Sequence, residues 1–216
     1  MDILIIVIGL SGFAFSIIIH EVSHGLMAER LGDPTAKLMG RLTLNPIRHI
    51  DVIGSILLPL TLLFIRAPFM FGWAKPVPVD PYNLKNPKKD MALISLAGPL
   101  SNIIFAIILS VFLKIILTIF PNPNIYALFS YLIGFNIVLA LFNLIPINPL
   151  DGGKILTGLL PGKKMGIFNS FLDKFGLILI VLLIFPIFGG RSLASIVISP
   201  IIAFFLNLLV PNFSGI

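Results

Sequence analysis

Residues 20–24 read His-Glu-Val-Ser-His. On a helix, two histidines at i and i+4 project from one face and can share one metal ion. The intervening glutamate can then serve as general base for the water that the metal activates. A lone histidine in an apolar segment is ordinarily explained by a hydrogen bond to a neighbouring helix. That explanation does not cover two histidines and a glutamate on adjacent turns, because ionisable groups in lipid are costly and mark function. The spacing assigns His20 and His24 as metal ligands and Glu21 as the base.

A catalytic zinc takes three protein ligands and keeps one position open, so the pentad is one ligand short. The chain has no cysteine, which excludes thiolate ligands and disulfides. Glu29 lies more than a turn beyond His24 on the same helix, at a poor angle for the same ion. Asp51 and Asp173 sit beside basic residues and read as interfacial. Asp151 is the best remaining carboxylate. It ends an apolar segment and precedes Gly152-Gly153, where the backbone can approach closely. The competing reading of Asp151 is an N-cap for the following segment. Asn136, Asn143 and Asn148 read as structural. His49 has no partner at metal spacing and reads as interfacial.

The elements that must hold these residues follow from composition. Of 216 residues, 57% are hydrophobic and 11% charged, against roughly 25% charged in a soluble domain. Mean hydropathy is +1.08, and several apolar runs approach or exceed the roughly 20 residues that cross a bilayer as a helix. The net charge of +6 reflects loop lysines and arginines, densest at Lys85, Lys88 and Lys89, that suit anionic headgroups. No aromatic-basic interleaving suggests nucleic acid.

The expected fold is an all-α polytopic membrane protein of five to six transmembrane helices, with a short membrane-associated β-hairpin and a possible re-entrant segment. Segment 3–31 is the first span, ended by Gly32-Asp33-Pro34. No basic residue precedes it and no small-residue cleavage pattern follows, so it reads as a retained helix rather than a signal peptide. Segment 35–47 is too short to span, and its partial alternation around Gly40 suggests the hairpin. Segment 52–71 is apolar and interrupted by Pro59 and Pro68. Segment 72–90, with Trp73 and four prolines, reads as irregular and near the headgroups. Further spans fall at 91–119 and 125–147, around an uncharged turn at 121–124, and at 168–188 and 192–210, joined at Gly189-Gly190-Arg191. With no internal repeat, 1–216 is one domain, with a catalytic core of about 3–165 and two additional C-terminal helices, 168–210. The basic loops 31–51 and 66–90 both belong in the cytoplasm by charge bias. Segment 52–71 then reads as a re-entrant hairpin broken at Pro59, with five segments crossing; the alternative is a plain span against the bias, with six.

With these residues in place the chain resembles the site-2 protease family of intramembrane zinc metalloproteases. The pentad, Ala97-Gly98-Pro99-Leu100-Ser101-Asn102, and the run from Asn143 to Gly153 that contains Asn148-Pro149-Leu150-Asp151 carry the likeness. The stretches Gly40–Pro46 and Gly72–Val79 are similar to the compact prokaryotic branch. The likeness covers roughly residues 10–165, and nothing here is long enough for a PDZ or nucleotide-sensing domain. It implies one zinc ion held by His20, His24 and Asp151, with Glu21 as base. It also implies that Asn102 helps hold the substrate or the developing oxyanion, as an amide donor in a dry site would. The substrate is then a transmembrane or membrane-anchored protein, cleaved by a multi-pass protein of the prokaryotic cell membrane. The suspected hairpin at 35–45 would clamp the unwound substrate by edge pairing. Two other readings remain: a non-catalytic scaffold, against which the intact Glu21 argues, and an ion or proton pathway.

Overall fold

The computed structural model describes residues 3–66, 72–159, 164–185 and 192–212, and every regular element within them is helical. Helix α1 spans Ile3–Leu31 and stops at Gly32, whose φ of 111° leaves the helical region. A short α2, Thr35–Leu38, follows. After a single 3₁₀ turn at Pro46–His49, a π-helical turn at Val52–Leu57 runs into α3, Leu58–Phe64. The long α4, Pro87–Ile119, begins on a proline in its first turn, where the missing N–H costs nothing. Helix α5, Pro123–Asn143, starts the same way, and the Asn122 side chain accepts the N–H groups of Asn124 and Ile125. Helices α6, Asp151–Leu159, α7, Lys164–Ile184, and α8, Leu193–Leu209, complete the chain.

Three helices among the described residues, α1, α4 and α5, are long and apolar enough to cross a membrane. Helix α4 is central and packs on α1, α5 and α6. Ala106, Leu109 and Leu113 of α4 meet Leu132, Ile133 and Ile137 of α5 and Leu209 of α8 in the main core. The outer face of α4 leaves Leu100, Ile104, Ile107 and Val111 exposed. Burying a Leu-sized side chain is worth about 1.5–3 kcal/mol, so such a stripe belongs in lipid. The protein is a membrane protein.

The β-hairpin expected at 35–47 is not there, and no strand occurs among the described residues. The glycine that suggested a hairpin ends a helix instead. Gly40, at φ 63°, donates to Lys37 O while Arg41 N–H donates to Ala36 O. This paired closure satisfies the last carbonyls of α2 and needs a left-handed residue at that position. Asp33 accepts the N–H of Thr35 at the other end. Local hydrogen bonding at both ends therefore beats the alternation pattern.

Segment 52–64 is one continuous helix, not a hairpin broken at Pro59, because Pro59 falls in the first turn of α3. Its 13 residues rise about 20 Å at ~1.5 Å each, short of a hydrocarbon core of about 30 Å. Pro68 and the Gly189-Gly190-Arg191 joint lie outside the described residues.

Candidate metal centre

Helical geometry delivers the first two candidate ligands. His20 and His24 lie one turn apart on α1, with ring centroids 4.7 Å apart and perpendicular planes. Gly98 of α4 makes room for both rings. A Cβ there would lie 2.5 Å from His24 Cε1 and Nε2 and 2.7 Å from His20 Cε1. Pro99 lacks the N–H that would bond back to Ser95, which loosens this turn of α4. One residue before Ser95, the Ile94 carbonyl accepts from His24 Nδ1 at 2.7 Å.

Asp151 completes the group. Its Oδ2 is 3.1 Å from His20 Nε2 and 3.3 Å from His24 Nε2, and the three ligand atoms lie within 4.8 Å of one another. Asp151 is the first residue of α6, and its side chain turns toward the histidines. The approach depends on the two glycines. A Cβ at Gly152 would lie 2.3 Å from the carbonyl oxygens of Leu144 and Ile145, and one at Gly153 would strike Asn148.

The hydrogen bonds around the site determine which histidine nitrogens carry protons. Asn136 Nδ2 donates to the Leu132 carbonyl and to Ser16 Oγ, which leaves its Oδ1 facing Asn102 Nδ2. Asn102 Nδ2 also donates to the Ser16 carbonyl, an obligate acceptor. Asn102 Oδ1 must then accept from His20 Nδ1, at 2.7 Å. Neutral His20 and His24 thus each carry their proton on Nδ1, and both Nε2 lone pairs point at Asp151 Oδ2. That oxygen is buried and has no hydrogen-bond partner among the described residues. Three electron-pair donors facing one another at such distances repel unless a cation lies among them. Two imidazole nitrogens, one carboxylate oxygen and no thiolate are a donor set that zinc accepts. The Nδ1–H donors to an amide oxygen and a backbone carbonyl are the outer partners such ligands take.

Glu21 lies beside this group and does not join it. Its Oε2 accepts the backbone N–H of Val77 at 2.9 Å. Asn102 is fully buried, and both of its N–H groups are committed to Ser16 and Asn136. The structure therefore places it behind His20 rather than toward a substrate. Ser16 and Asn136 were not singled out as site residues by sequence, although Ser16 precedes His20 by the same four-residue stride that links the two histidines. His49, read as interfacial, is buried, and its Nε2 donates to the Thr43 carbonyl. Among the described residues His20, His24 and Asp151 form the one group of three with metal-ligand geometry.

Comparison with known proteins bears on this arrangement. The model of Peptidase family M50 matches residues 118–185. A Bacillus subtilis protein named "Putative zinc metalloprotease YwhC" is 41% identical over 153 residues, covering 68% of this chain and 66% of its own. The chain belongs to peptidase family M50. The site-2 protease likeness read from the motifs is thereby met. Two more distant M50 relatives are a Mycolicibacterium smegmatis protein named "Putative zinc metalloprotease Rip2" and a Methanocaldococcus jannaschii protein named "Zinc metalloprotease MJ0392". The first is 29% identical over 194 residues, 84% of this chain and 68% of its own. The second is 29% identical over 157 residues, 72% of this chain and 34% of its own. This M50 chain thus spans about two thirds of the first two relatives and about a third of the last. No solved structure matches it.

Proposed function

We propose that this M50 chain is a zinc metalloprotease that hydrolyses peptide bonds of transmembrane or membrane-anchored proteins at the level of the bilayer. His20, His24 and Asp151 hold one zinc ion, and Glu21 is the general base. The observation that carries this reading is the convergence of three potential ligand atoms, His20 Nε2, His24 Nε2 and Asp151 Oδ2, on one buried point. The relatives named as zinc metalloproteases support it.

Bound zinc supplies Lewis acidity, polarising the scissile carbonyl and making water a stronger acid. The chain does the rest. Asn102 and the Ile94 carbonyl hold the imidazoles in the Nδ1–H form. Glu21 takes a proton from the attacking water and returns it to the leaving amine nitrogen, a transfer worth about 10²–10⁴ in rate. A transmembrane helix hides its carbonyls in hydrogen bonds, so the substrate must unwind before Glu21 can act. Water reaches the ligands from the side of the loops that carry Lys37, Arg41 and Lys75, the cytoplasmic side by charge bias. The chain acts as one domain of a multi-pass protein in the cell membrane, with its catalytic core at about 3–165.

The test is cleavage of a model transmembrane peptide by purified wild type and Glu21→Gln, with metal content measured alongside. Glu21→Gln retains zinc and loses cleavage by at least about 100-fold, whereas His20→Ala loses the metal. Equal cleavage by wild type and Glu21→Gln overturns the proposal. Ion flux without tightly bound zinc would favour the pathway reading instead.

A further inference from the structure

The stretch from Gly72 to Asp80 forms no helix, strand or turn, reaches extended backbone at Asp80, and is tied down by hydrogen bonds to the protein. In an extended chain the N–H and C=O of one residue point the same way and alternate from residue to residue. At Trp73 and Lys75 these backbone groups are bound by the protein, and Pro76 O is a further acceptor for Arg41 at 3.3 Å. Trp73 N–H donates to Gly54 O and Lys75 N–H to His49 O. Ser55 Oγ donates to Trp73 O, and Arg41 donates to Lys75 O. Prolines occupy even positions 76 and 78, so the N–H groups lost are those of the other edge.

The first anchor has a traceable cause. Leu58 N–H bonds five residues back, to Ile53 O. The same winding would give Gly54 O the N–H of residue 59, which is proline. Its carbonyl is left to accept Trp73. The Trp73 ring lies over Gly54, where a Cβ would come within 2.4 Å of ring atoms. At the far end Asp80 N–H donates to the buried Asp33. Between these anchors Val77 is buried against α1, with Cγ1 2.8 Å from where a Gly25 Cβ would stand. Its N–H, the single amide donor in the Pro76-Val77-Pro78 run, meets Glu21 Oε2.

We infer that Val77 is a positioning residue for Glu21: its backbone N–H, held rigid between two prolines, fixes one carboxylate oxygen so that the other faces the reacting water. This deepens the reading of Glu21 as general base and rests on it. Among the described residues the bond from Val77 is to Oε2 and none reaches Oε1, so one oxygen is anchored and the other stays available. Without the anchor, a half-buried glutamate has several rotamers, and displacing a reacting group by about 1 Å costs about 100-fold in rate.

Val77→Pro removes the N–H and keeps extended backbone; Val77→Ala keeps the N–H and removes the packing. In the full chain, Val77→Pro is expected to lower kcat for a model transmembrane peptide about 100-fold, with KM and zinc stoichiometry as in wild type. Val77→Ala retains kcat within a few-fold. Equal kcat for Val77→Pro and wild type overturns the inference while leaving the protease reading intact. A wild type that neither binds zinc nor cleaves would overturn that reading itself. Should Val77→Pro fail to fold, amide exchange decides. The Val77 amide is protected in wild type and exchanges about tenfold faster in Glu21→Ala. Equal protection in both overturns the inference.

Discussion

Asn102 Oδ1 accepts the Nδ1–H of His20 at 2.7 Å across 82 positions of sequence. Its own Nδ2 is held by the Ser16 carbonyl and Asn136 Oδ1, so the amide cannot flip without breaking three contacts. The proton location on His20 is therefore set by a carbonyl on α1 and an amide on α5. Asn102→Ala is expected to weaken zinc binding about 10- to 100-fold, the usual loss when an outer partner of a ligating histidine is removed. Asn102→Asp keeps an acceptor for His20 and loses less. Competition against a zinc chelator ranks the variants. Equal affinity for wild type and Asn102→Ala would show that His20 needs no such partner.

Gly98→Ala is expected to abolish zinc binding with little change to the rest of the fold. Its Cβ would come to 2.5 Å from His24 and 2.7 Å from His20, contacts the rings relieve only by leaving their shared point. Gly134→Ala is the control, because its nearest neighbour is Leu206 at 3.6 Å. In a helix interior that change adds about 0.5–1 kcal/mol of stability. Zinc content and thermal unfolding in detergent separate the two outcomes.

Gly40→Ala isolates the closure of α2. Nothing lies within 4 Å of the added Cβ, so the cost is the left-handed backbone alone. A loss of about 1–2 kcal/mol is expected, and less for Gly40→Asn, whose side chain tolerates that region. Chemical unfolding measures both. An Ala variant as stable as wild type would mean that the turn rearranges freely.

Asp33 gives the protein an acid limit outside the membrane-spanning segments. Burial pushes its carboxyl up, but hydrogen bonds from the Thr35 and Asn83 side chains and the N–H groups of Asp80 and Thr35 hold it below the ordinary 3.8. A carboxylate with a depressed folded-state pKa contributes stability that is fully present above its unfolded value. That contribution disappears as pH falls through the lower, folded value. Wild type is therefore expected to keep this contribution at neutral pH and to lose it below about pH 4. Asp33→Asn is less stable at neutral pH, and the gap closes on acidification. A gap that stays constant from pH 7 to pH 3 would remove Asp33 from the account.

The sequence by itself determined the membrane setting and singled out the two histidines and the glutamate as candidates. Each depends only on composition or on the 3.6-residue helical period, which act over one or two turns. Asp151 follows from exclusion and from likeness, with an N-cap as the competing reading. The hairpin at 35–47 failed because alternation is a weaker local signal than the hydrogen-bonded closure at Gly40 and Asp33. Only the tertiary structure decided what brings distant groups together. It turned Asp151 toward two imidazoles on α1, placed Asn102 behind His20, opened α4 at Gly98, and laid Val77 against Glu21. Those relationships join segments tens of residues apart. They follow from helix packing around α4 and from where prolines and glycines leave a carbonyl free or a gap unfilled, which no local period encodes.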